Sequence, residues 1–230
     1  MSFGWPFGAD RGCPGLVAIT SPHSPAAEAY RMLRTNLQFA SLDQPLRTLL
    51  VTSAGPQDGK TTVAANLGLV LAEAGQRVVL LDGDLRQPRL HEAFRLSRSP
   101  GFSDALLDES APLPLQPGPL QGISLIAAGT PAPNPAELLA SPRVGRLLQR
   151  VCEQADIVVV DSPPIAAMSD ALVLAASIDG VLLVVSAGRT RRDLARRARE
   201  QLVAARARIV GAVLNNAAID KEMQRYYARQ

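Results

Sequence analysis

The sequence predicts an α/β fold in which a doubly wound, mostly parallel β-sheet is flanked by helices. Short apolar runs of strand length alternate with longer segments of helical pattern along the 230 residues. The runs are apolar on both faces, which is typical of parallel strands covered by helices on each side. Ligands of such sheets bind at the carboxyl ends of the strands, so we expect the functional residues at that edge.

The composition indicates one soluble domain. A chain of 230 residues that is 47% hydrophobic can bury one full core, and no second domain is needed. A net charge of +3 permits weak attraction to nucleic acid or anionic lipid without requiring it. Cys13 and Cys152 are too few and too far apart for a disulfide framework or a metal site, which favours a reducing cytoplasm. Neither a signal peptide nor an apolar stretch of about 18 residues is found, so we expect a soluble chain.

The individual elements follow from hydrophobic periodicity. Six apolar runs are predicted as strands, at 48–54, 77–84, 122–129, 156–164, 180–188 and 208–216. Four segments are predicted as helices, near 25–40, 60–75, 136–154 and 190–206. The segment 110–120, "SAPLPLQPGPL", is predicted to be a surface loop, because its four prolines exclude it from a helix interior or a central strand.

The stretch "SAGPQDGKTT" at residues 53–62 lies between the first predicted strand and a predicted helix. At Gly59, Lys60 and Thr61, main-chain N–H groups and the N-terminus of the helix would face a bound anion. Lys60 would reach the outer phosphates, and the Thr61 hydroxyl would bind Mg²⁺. A glycine-rich turn with a chance lysine is the alternative, but Lys60 is one of only two lysines in the chain. Ala54 and Gln57 depart from the glycines that would let such a loop bend freely.

Acidic residues end two further predicted strands. Asp82, Asp84 and Arg86 leave the second strand two residues apart, and Asp161 closes the hydrophobic run "DIVVV". Two carboxylates there suit a metal and a proton acceptor, and Asp161 has the position of an aspartate that holds an Mg²⁺ shell. Taken singly, Asp82 could cap a turn, Asp84 and Arg86 could form a surface pair, and Asp161 could be an ordinary strand end. Together, in this order, the three signals indicate a nucleotide site.

Over nearly its whole length the chain resembles the bacterial tyrosine kinases of capsular and exopolysaccharide synthesis. The resemblance rests on the three nucleotide motifs and on "EAYRMLRTNLQFAS", "GFSDAL", "GTPAPNPAELL", "DSPPIAAMSDALVLAASIDGVLLVVSAGRTRR" and "GAVLNN". It implies a P-loop NTPase fold related to the MinD and ParA ATPases, and an ATP-dependent protein-tyrosine kinase. The loop of that family also lacks the first glycine, which accounts for Ala54 but not for Gln57.

The resemblance implies roles for individual residues, with ATP and Mg²⁺ as cofactors. ATP would be bound by Gly55, Pro56, Gln57, Asp58, Gly59, Lys60, Thr61, Thr62 and Asn215. Mg²⁺ would be bound by Thr61, Asp82 and Asp161. The catalytic residues would be Lys60, Asp82, Asp84 and Arg86. Of these, Asp84 would accept the proton of the attacking tyrosine hydroxyl, whose ordinary pKa is about 10.

The resemblance also implies functions for two segments outside the nucleotide motifs. Glu28, Arg31 and Arg34 match the family's E-x-x-R-x-x-R motif, which joins neighbouring subunits into a ring. By spacing alone, Glu28 and Arg31 would simply pair on one helix face. Tyr226 and Tyr227 occupy the place of the family's phosphoacceptor tyrosines, although they could instead anchor the terminus on the body.

The implied organisation has three parts: an N-terminal extension at 1–24, the kinase domain at 25–217 and a flexible tyrosine-bearing tail at 218–230. The expected partners are other copies of the chain and the cytoplasmic tail of a membrane chain-length regulator. That regulator would hold the kinase at the inner face of the plasma membrane. No specific binding of nucleic acid is expected.

Two other functions remain open from the sequence. A positioning ATPase of the plasmid-partition or septum-site type shares the fold, but such ATPases usually carry a lysine five residues before the loop lysine, where this chain has Gly55. The six arginines of "GRTRRDLARRARE" would suit phosphate contacts, although such a run is more often a solvated helix face. The third function is a nucleotide-binding regulator of polysaccharide synthesis with little kinase turnover.

Overall fold

A computed structural model describes residues 15–218, in which seven strands form one sheet between two layers of helices. The strands are β1 Thr48–Ser53, β2 Val78–Asp82, β3 Gln116–Pro117, β4 Ile123–Ile126, β5 Ile157–Asp161, β6 Gly180–Ser186 and β7 Ile209–Asn215. The helices are α1 Val17–Thr20, α2 Pro25–Ala40, α3 Lys60–Glu73, α4 Leu90–Phe94, α5 Phe102–Leu107, α6 Pro135–Ala140, α7 Arg143–Gln154, α8 Asp170–Ala175 and α9 Arg192–Ala204.

The strand order in the sheet is β3-β4-β2-β5-β1-β6-β7, and each neighbouring pair is parallel except β3 with β4. This order confirms the predicted doubly wound, mostly parallel sheet. Successive side chains of a strand point to opposite faces, so each central strand contributes to two cores. In β1, Leu50 packs into the core on one face, whereas Leu49 and Val51 pack into the core on the other.

Each face of the sheet is covered by its own helices. Side chains of α2, α3 and α4 complete one core, and those of α5, α7, α8 and α9 complete the other. Helix α3 is central to its layer, because every residue from Val63 to Ala72 is buried. With both faces covered, the carboxyl ends of the strands are left as the place where polar side chains can collect.

The predicted helices at 25–40 and 60–75 correspond to α2 and α3. Helix α2 begins with Pro25 in its first turn, and the Ser24 hydroxyl accepts a 3.2 Å hydrogen bond from the Ala27 N–H. Helix α3 ends at Glu73, two residues before Gly75, whose φ of 87° is the left-handed conformation that stops a helix.

The prediction of a single helix over 136–154 was wrong. The structure divides this segment into α6 and α7. Ser141 is extended, with a ψ of 141°, because the residue before a proline is disfavoured in the α region and Pro142 follows it. The helix predicted at 190–206 is confirmed as the shorter α9.

We predict the proline-rich segment 110–120 to be a loop throughout, but the structure shows a short strand within it. Gln116 and Pro117 form β3, which pairs antiparallel with β4 at the edge of the sheet. An edge strand tolerates proline because one side of its ladder needs no donor. Four short helices were not predicted, because elements of four to six residues are too short to show a clear hydrophobic period. They are α1, α4, α5 and α8.

Residues 15–24, which we placed in an N-terminal extension, pack on the domain body: Leu16 and Ala18 are buried beside α3. Residues 219–230, and with them Tyr226 and Tyr227, lie outside the described residues. Among the helices of residues 15–218, none combines the length and the apolar character needed to cross a bilayer.

Candidate active site

The carboxyl ends of β1, β2 and β5 meet at one edge of the sheet. Strand β5 lies between the other two, and Asp82 at the end of β2 is in register with Asp161 at the end of β5. Strand β1 continues into the loop 54–59, after which α3 begins at Lys60. The structure therefore brings the glycine-rich loop and both strand-end aspartates together, as the spacing of the motifs predicted.

The loop between β1 and α3 bends at two residues with left-handed backbone. Gly59 has a φ of 94°, and Gln57 has a φ of 61°, which is uncommon for a residue other than glycine. Between them, the Asp58 side chain is only 2% exposed and accepts a 2.8 Å hydrogen bond from the Gly55 N–H. The carboxylate of Asp58 thus closes the loop on itself, and the bend expected of a glycine is made at Gln57.

Asn215, at the end of β7, supports the same loop from outside. Its Nδ2 donates a 2.9 Å hydrogen bond to the Asp58 carbonyl. A Cβ atom at Gly59 would lie 2.1 Å from that nitrogen, so both the positive φ and the available space require glycine at this position. The structure places Asn215, predicted as a nucleotide contact, against the loop backbone.

The Lys60 ammonium lies among three oxygen atoms. Its Nζ is 2.9 Å from Asp84 Oδ2, 3.4 Å from Thr61 Oγ1 and 3.7 Å from Asp161 Oδ1. Burial lowers the pKa of Lys60, but the charges of Asp161 and Asp84 outweigh it, so the pKa is raised above its ordinary value. Lys60 is therefore a charged group, held by carboxylates at the place where a phosphate would offer it other oxygens.

Asp161 has one satisfied and one unsatisfied oxygen. The Thr61 hydroxyl donates a 2.6 Å hydrogen bond to the Oδ2 atom of Asp161, whereas the buried Oδ1 atom has no hydrogen-bond partner among residues 15–218. Burial raises the pKa of Asp161 above its usual range. A buried carboxylate oxygen without a donor is unfavourable, and a cation beside it would supply the missing partner.

Asp82 is also fully buried, and main-chain donors hold it. Its Oδ1 accepts from the Asp84 N–H at 3.2 Å and its Oδ2 from the Leu90 N–H at 3.0 Å. Burial, followed by the charge of Asp161, raises the pKa of Asp82 to about 8. The negative charge of Asp161 thus disfavours the ionised form of Asp82 at the end of the adjacent strand.

The predicted Mg²⁺ ligands fit that ion together with a nucleotide, although not as a complete protein site. Within residues 15–218, no group of three or more histidine, cysteine, aspartate or glutamate side chains could hold a metal ion. Mg²⁺ at phosphoryl-transfer sites takes one or two carboxylates and completes its shell with phosphate and water. The Thr61 hydroxyl and the unsatisfied Asp161 Oδ1 provide such a partial set.

The other two residues of the second motif have separate partners. Asp84 Oδ1 accepts a 3.0 Å hydrogen bond from the Gln87 N–H, while its Oδ2 faces Lys60. Arg86 binds Asp170 instead, with 2.8 Å between Nε and Oδ2. The surface pair of Asp84 with Arg86, which we had considered, is therefore not formed.

Sequence reasoning missed three residues that contact the site. Asp170, at the start of α8, is fully buried and holds Arg86. In the turn between β6 and α9, the Thr190 hydroxyl donates a 2.8 Å hydrogen bond to Asp58 Oδ1, and the Arg189 guanidinium donates to Gln57 Oε1. Two signals were available: all three residues lie within the run 161–192 on which the resemblance rests, and the turn that carries Arg189 and Thr190 follows a buried strand, where ligand-site residues collect.

The predicted subunit-contact residues make contacts within the chain. Arg31 Nη1 lies 3.3 Å from Glu28 Oε2, and Arg31 Nε lies 3.5 Å from Glu73 Oε2 on α3. Arg34 donates a 2.9 Å hydrogen bond to the Val70 carbonyl, also on α3. These contacts hold both arginines along the junction of α2 and α3.

A phosphate loop between β1 and α3, with aspartates at the ends of neighbouring strands, defines the class of protein as a P-loop NTPase. The family model described as "ParA: NUBPL iron-transfer P-loop NTPase" matches residues 46–226. Within that class the similarity is more specific. The tyrosine-protein kinase YwqD of Bacillus subtilis (strain 168) is 38% identical over 213 residues, which covers 92% of this chain and 90% of YwqD.

Solved structures agree with this similarity. The chimerical protein CapA2B2 is 30% identical with a TM-score of 0.85, and the match covers 89% of this chain and 90% of that one. The kinase domain of the Escherichia coli tyrosine kinase ETK is 33% identical with a TM-score of 0.82, over 93% of this chain and 86% of that domain. The chain belongs to the family of bacterial tyrosine-protein kinases, which confirms the resemblance.

Proposed function

We propose that the chain transfers the γ-phosphoryl group of ATP to Tyr226 and Tyr227 of neighbouring subunits. Through this reaction, it would regulate the polymerisation and export of a capsular polysaccharide or exopolysaccharide. The observation that carries the proposal is the meeting of Lys60, Thr61 and Asp161 under the phosphate loop, with Asp161 Oδ1 buried and unsatisfied.

The phosphates of ATP would lie against the loop from Gly55 to Thr62, where main-chain N–H groups and the start of α3 favour negative charge. Lys60 would exchange Asp84 Oδ2, now 2.9 Å away, for oxygens of the outer phosphates. That exchange moves the lysine charge to the transferring group and frees the Asp84 carboxylate.

Mg²⁺ supplies charge neutralisation of the phosphate oxygens when it is bound. Thr61 and Asp161 would hold it, and Asp82 would complete the set directly or through water. The 2.6 Å hydrogen bond to Asp161 uses the Thr61 proton and so turns the lone pairs of that oxygen towards a ligand.

Asp84 would act as the proton acceptor. In the transfer, the tyrosine oxygen forms a bond to the γ-phosphorus, the bond from that phosphorus to the bridging oxygen of ADP breaks, and the tyrosine proton passes to Asp84. Asp82 suits this role less, because both its oxygens already accept hydrogen bonds from main-chain N–H groups. In Asp84, only Oδ1 accepts a main-chain N–H group. Once Lys60 has moved to the phosphates, Oδ2 is therefore available to accept a proton.

Assembly would bring the acceptor tyrosines to the site. Glu28, Arg31 and Arg34 would bind a neighbouring subunit in a closed head-to-tail ring, in which each tail reaches the next active site. The cytoplasmic tail of a membrane chain-length regulator would order the nucleotide site. It would also hold the ring at the inner face of the plasma membrane.

One experiment tests the proposal directly. The purified chain is incubated with γ-labelled ATP and Mg²⁺, with and without a regulator tail, and the labelled residues are mapped. We expect label on Tyr226 and Tyr227, and none with Lys60→Met; the exposed Arg77→Met serves as the matched control, because its partner Asp156 is also exposed. Hydrolysis without labelled tyrosine, stimulated by long duplex DNA, would instead indicate a positioning ATPase. Nucleotide binding without turnover would indicate a regulator.

A further inference from the structure

Gln57, in the middle of the phosphate loop, has a backbone conformation that is unfavourable for glutamine. Its φ of 61° lies in the left-handed region, which glycine adopts freely and other residues rarely occupy. The side chain itself is exposed, so no packing of Gln57 into the core explains the choice of residue. Backbone strain of this kind is typical of functional sites. We therefore asked what the glutamine side chain does that glycine could not.

The Gln57 side chain holds an arginine beside the loop. The Arg189 guanidinium, in the turn between β6 and α9, donates a hydrogen bond to Gln57 Oε1. The same turn is fixed to the loop by its next residue. The Thr190 hydroxyl accepts a 2.7 Å hydrogen bond from the Ser186 N–H and donates a 2.8 Å hydrogen bond to Asp58 Oδ1. Both the backbone and the guanidinium of Arg189 are thus anchored next to the phosphate loop.

The charge of Arg189 is not neutralised by a carboxylate in the described part of the chain. Its only side-chain partner there is the neutral Gln57 amide, and no ion pair includes it. The Asp58 carboxylate already accepts hydrogen bonds at both oxygens. Arg191 of the same turn differs, because it pairs with Asp193. Arg189 therefore keeps its charge and further N–H donors available for an anion in the loop.

We propose that Arg189 binds the phosphates of ATP and that Gln57 is the residue that positions it. The proposal rests on the proposed function, in which ATP occupies the loop. Main-chain N–H groups of such a loop hold the α- and β-phosphates, whereas the lysine reaches the outer ones. Arg189 lies beside Gln57, three residues before Lys60. It would therefore contact the phosphates that ATP and ADP share, and the two cations would hold the polyphosphate at different points.

A contact with the shared phosphates has a defined kinetic signature. It strengthens the binding of ATP equally in the ground state and in the transition state, so its loss raises KM and leaves kcat nearly unchanged. It also strengthens the binding of ADP. Glutamine at position 57 would thus add a second phosphate-binding cation, in return for the unfavourable φ.

Titration calorimetry of the full chain with ATP and with ADP, each with Mg²⁺, tests the contact without requiring turnover. We expect Arg189→Met to weaken the binding of both nucleotides about tenfold. Gln57→Gly should weaken it by a similar factor, although glycine removes the strain. The double variant should bind no more weakly than either single variant, because both changes remove one contact. Arg199→Met, on the exposed side of α9, is the matched control and should bind like the parent.

Two further variants separate a charge contact from a simple brace of the loop. Arg189→Gln keeps a donor for Gln57 Oε1 without the charge, whereas Arg189→Lys keeps the charge. Phosphate binding needs the charge, so the lysine variant should bind ATP at least about twofold more tightly than the glutamine variant. A glutamine variant that binds as tightly as the lysine variant would overturn the phosphate contact in favour of a brace.

Labelling with γ-labelled ATP gives the kinetic comparison. Arg189→Met should raise the KM for ATP about tenfold and change kcat by less than about twofold. Affinity like the parent's in Arg189→Met or in Gln57→Gly would overturn the proposal. A fall in kcat at unchanged KM would overturn it in favour of a contact made only in the transition state. If the variants bind ATP in the expected order and no tyrosine is labelled, the kinase function alone is rejected. A parent that binds neither nucleotide would overturn both.

Discussion

The Thr61 hydroxyl and the Asp161 carboxylate are joined by a hydrogen bond of 2.6 Å between Oγ1 and Oδ2. The bond ties the first turn of α3 to the carboxyl end of β5, two elements that are a hundred residues apart in the chain. It leaves Asp161 Oδ1, 3.7 Å from the Lys60 ammonium, as the oxygen that finds no hydrogen-bond donor in the described part of the chain. A cation entering the site would therefore find one carboxylate oxygen and one hydroxyl oxygen already oriented.

Asp161→Asn should weaken the binding of ATP in the presence of Mg²⁺ by about tenfold or more, because the variant lacks the charge that the metal needs. Binding in the presence of a chelator should change much less. Titration calorimetry with and without Mg²⁺ measures both. Asp156→Asn, in the exposed pair with Arg77 just before the same strand, is the control. Equal losses in the two conditions would contradict a metal role for Asp161.

Lys60→Met should destabilise the nucleotide-free chain by about 3 kcal/mol near neutral pH, because it leaves the buried Asp84 and Asp161 without their cation. The loss should be smaller at lower pH, because burial raises the pKa of Asp161 and a protonated Asp161 no longer needs the cation. Urea unfolding at the two pH values measures the difference. A variant as stable as the parent at neutral pH would show that Lys60 does not hold the carboxylates together.

The free energy of unfolding should fall as the pH rises through the neutral range, because of Asp82. Burial and Asp161 raise its pKa from 3.8 to about 8. Between these values, the folded chain keeps a proton that the unfolded chain releases, so stability falls by up to about 1.4 kcal/mol per pH unit for this proton. Asp82→Asn should remove that part of the slope. Parallel stability curves for parent and variant between about pH 5 and pH 8 would contradict the raised pKa.

Arg86→Met should cost about 2 to 3 kcal/mol, because it leaves the buried Asp170 carboxylate without its partner; the partial exposure of Arg86 limits the loss. Arg86→Lys should recover part of the stability. Thermal unfolding compares these variants with Arg191→Met, whose pair with Asp193 is exposed. If Arg86→Met keeps its stability and loses only turnover, the guanidinium acts on the nucleotide and not through Asp170.

Arg31→Ala combined with Arg34→Ala should give a small species under conditions in which the unphosphorylated parent forms a large one. Light scattering with and without the regulator tail measures the size. The double variant Arg192→Ala, Arg196→Ala on the exposed side of α9 is the control. A parent that stays monomeric beside the regulator tail would contradict the ring and leave these arginines as contacts between α2 and α3.

Phosphorylation should shrink the same assembly, because charged tails are repelled by the carboxylates of the site that modified them. The parent should be large before and small after treatment with ATP and Mg²⁺. The double variant Tyr226→Phe, Tyr227→Phe should stay large throughout. If that variant also dissociates on addition of ATP, the tail tyrosines do not control assembly.

Much of the fold could be predicted because the signals were local. Buried parallel strands appear as uninterrupted apolar runs, and the start of α3 is marked by a glycine and a lysine after such a run. The break between α6 and α7 was equally local, since Ser141 precedes Pro142, but the helical pattern on both sides obscured it.

The site was predictable only where residues follow strand ends. Lys60, Asp84 and Asp161 converge because parallel strands finish at the same edge of the sheet. The pairing of Arg86 with Asp170 spans 84 residues, and that of Thr190 with Asp58 spans 132. Packing decides which of the many polar side chains meet over such separations. The hydrophobic periodicity of a single sequence does not contain that information.

The contact of Asn215 with the phosphate loop has a consequence for the order of events during synthesis. The Asp58 carbonyl receives its donor from a residue 157 positions later, on the last strand of the described fold. A growing chain whose ribosome has not yet released β7 already contains the whole loop but lacks one of the side chains that support it. We therefore expect full affinity for ATP to appear only when translation of the domain is nearly finished.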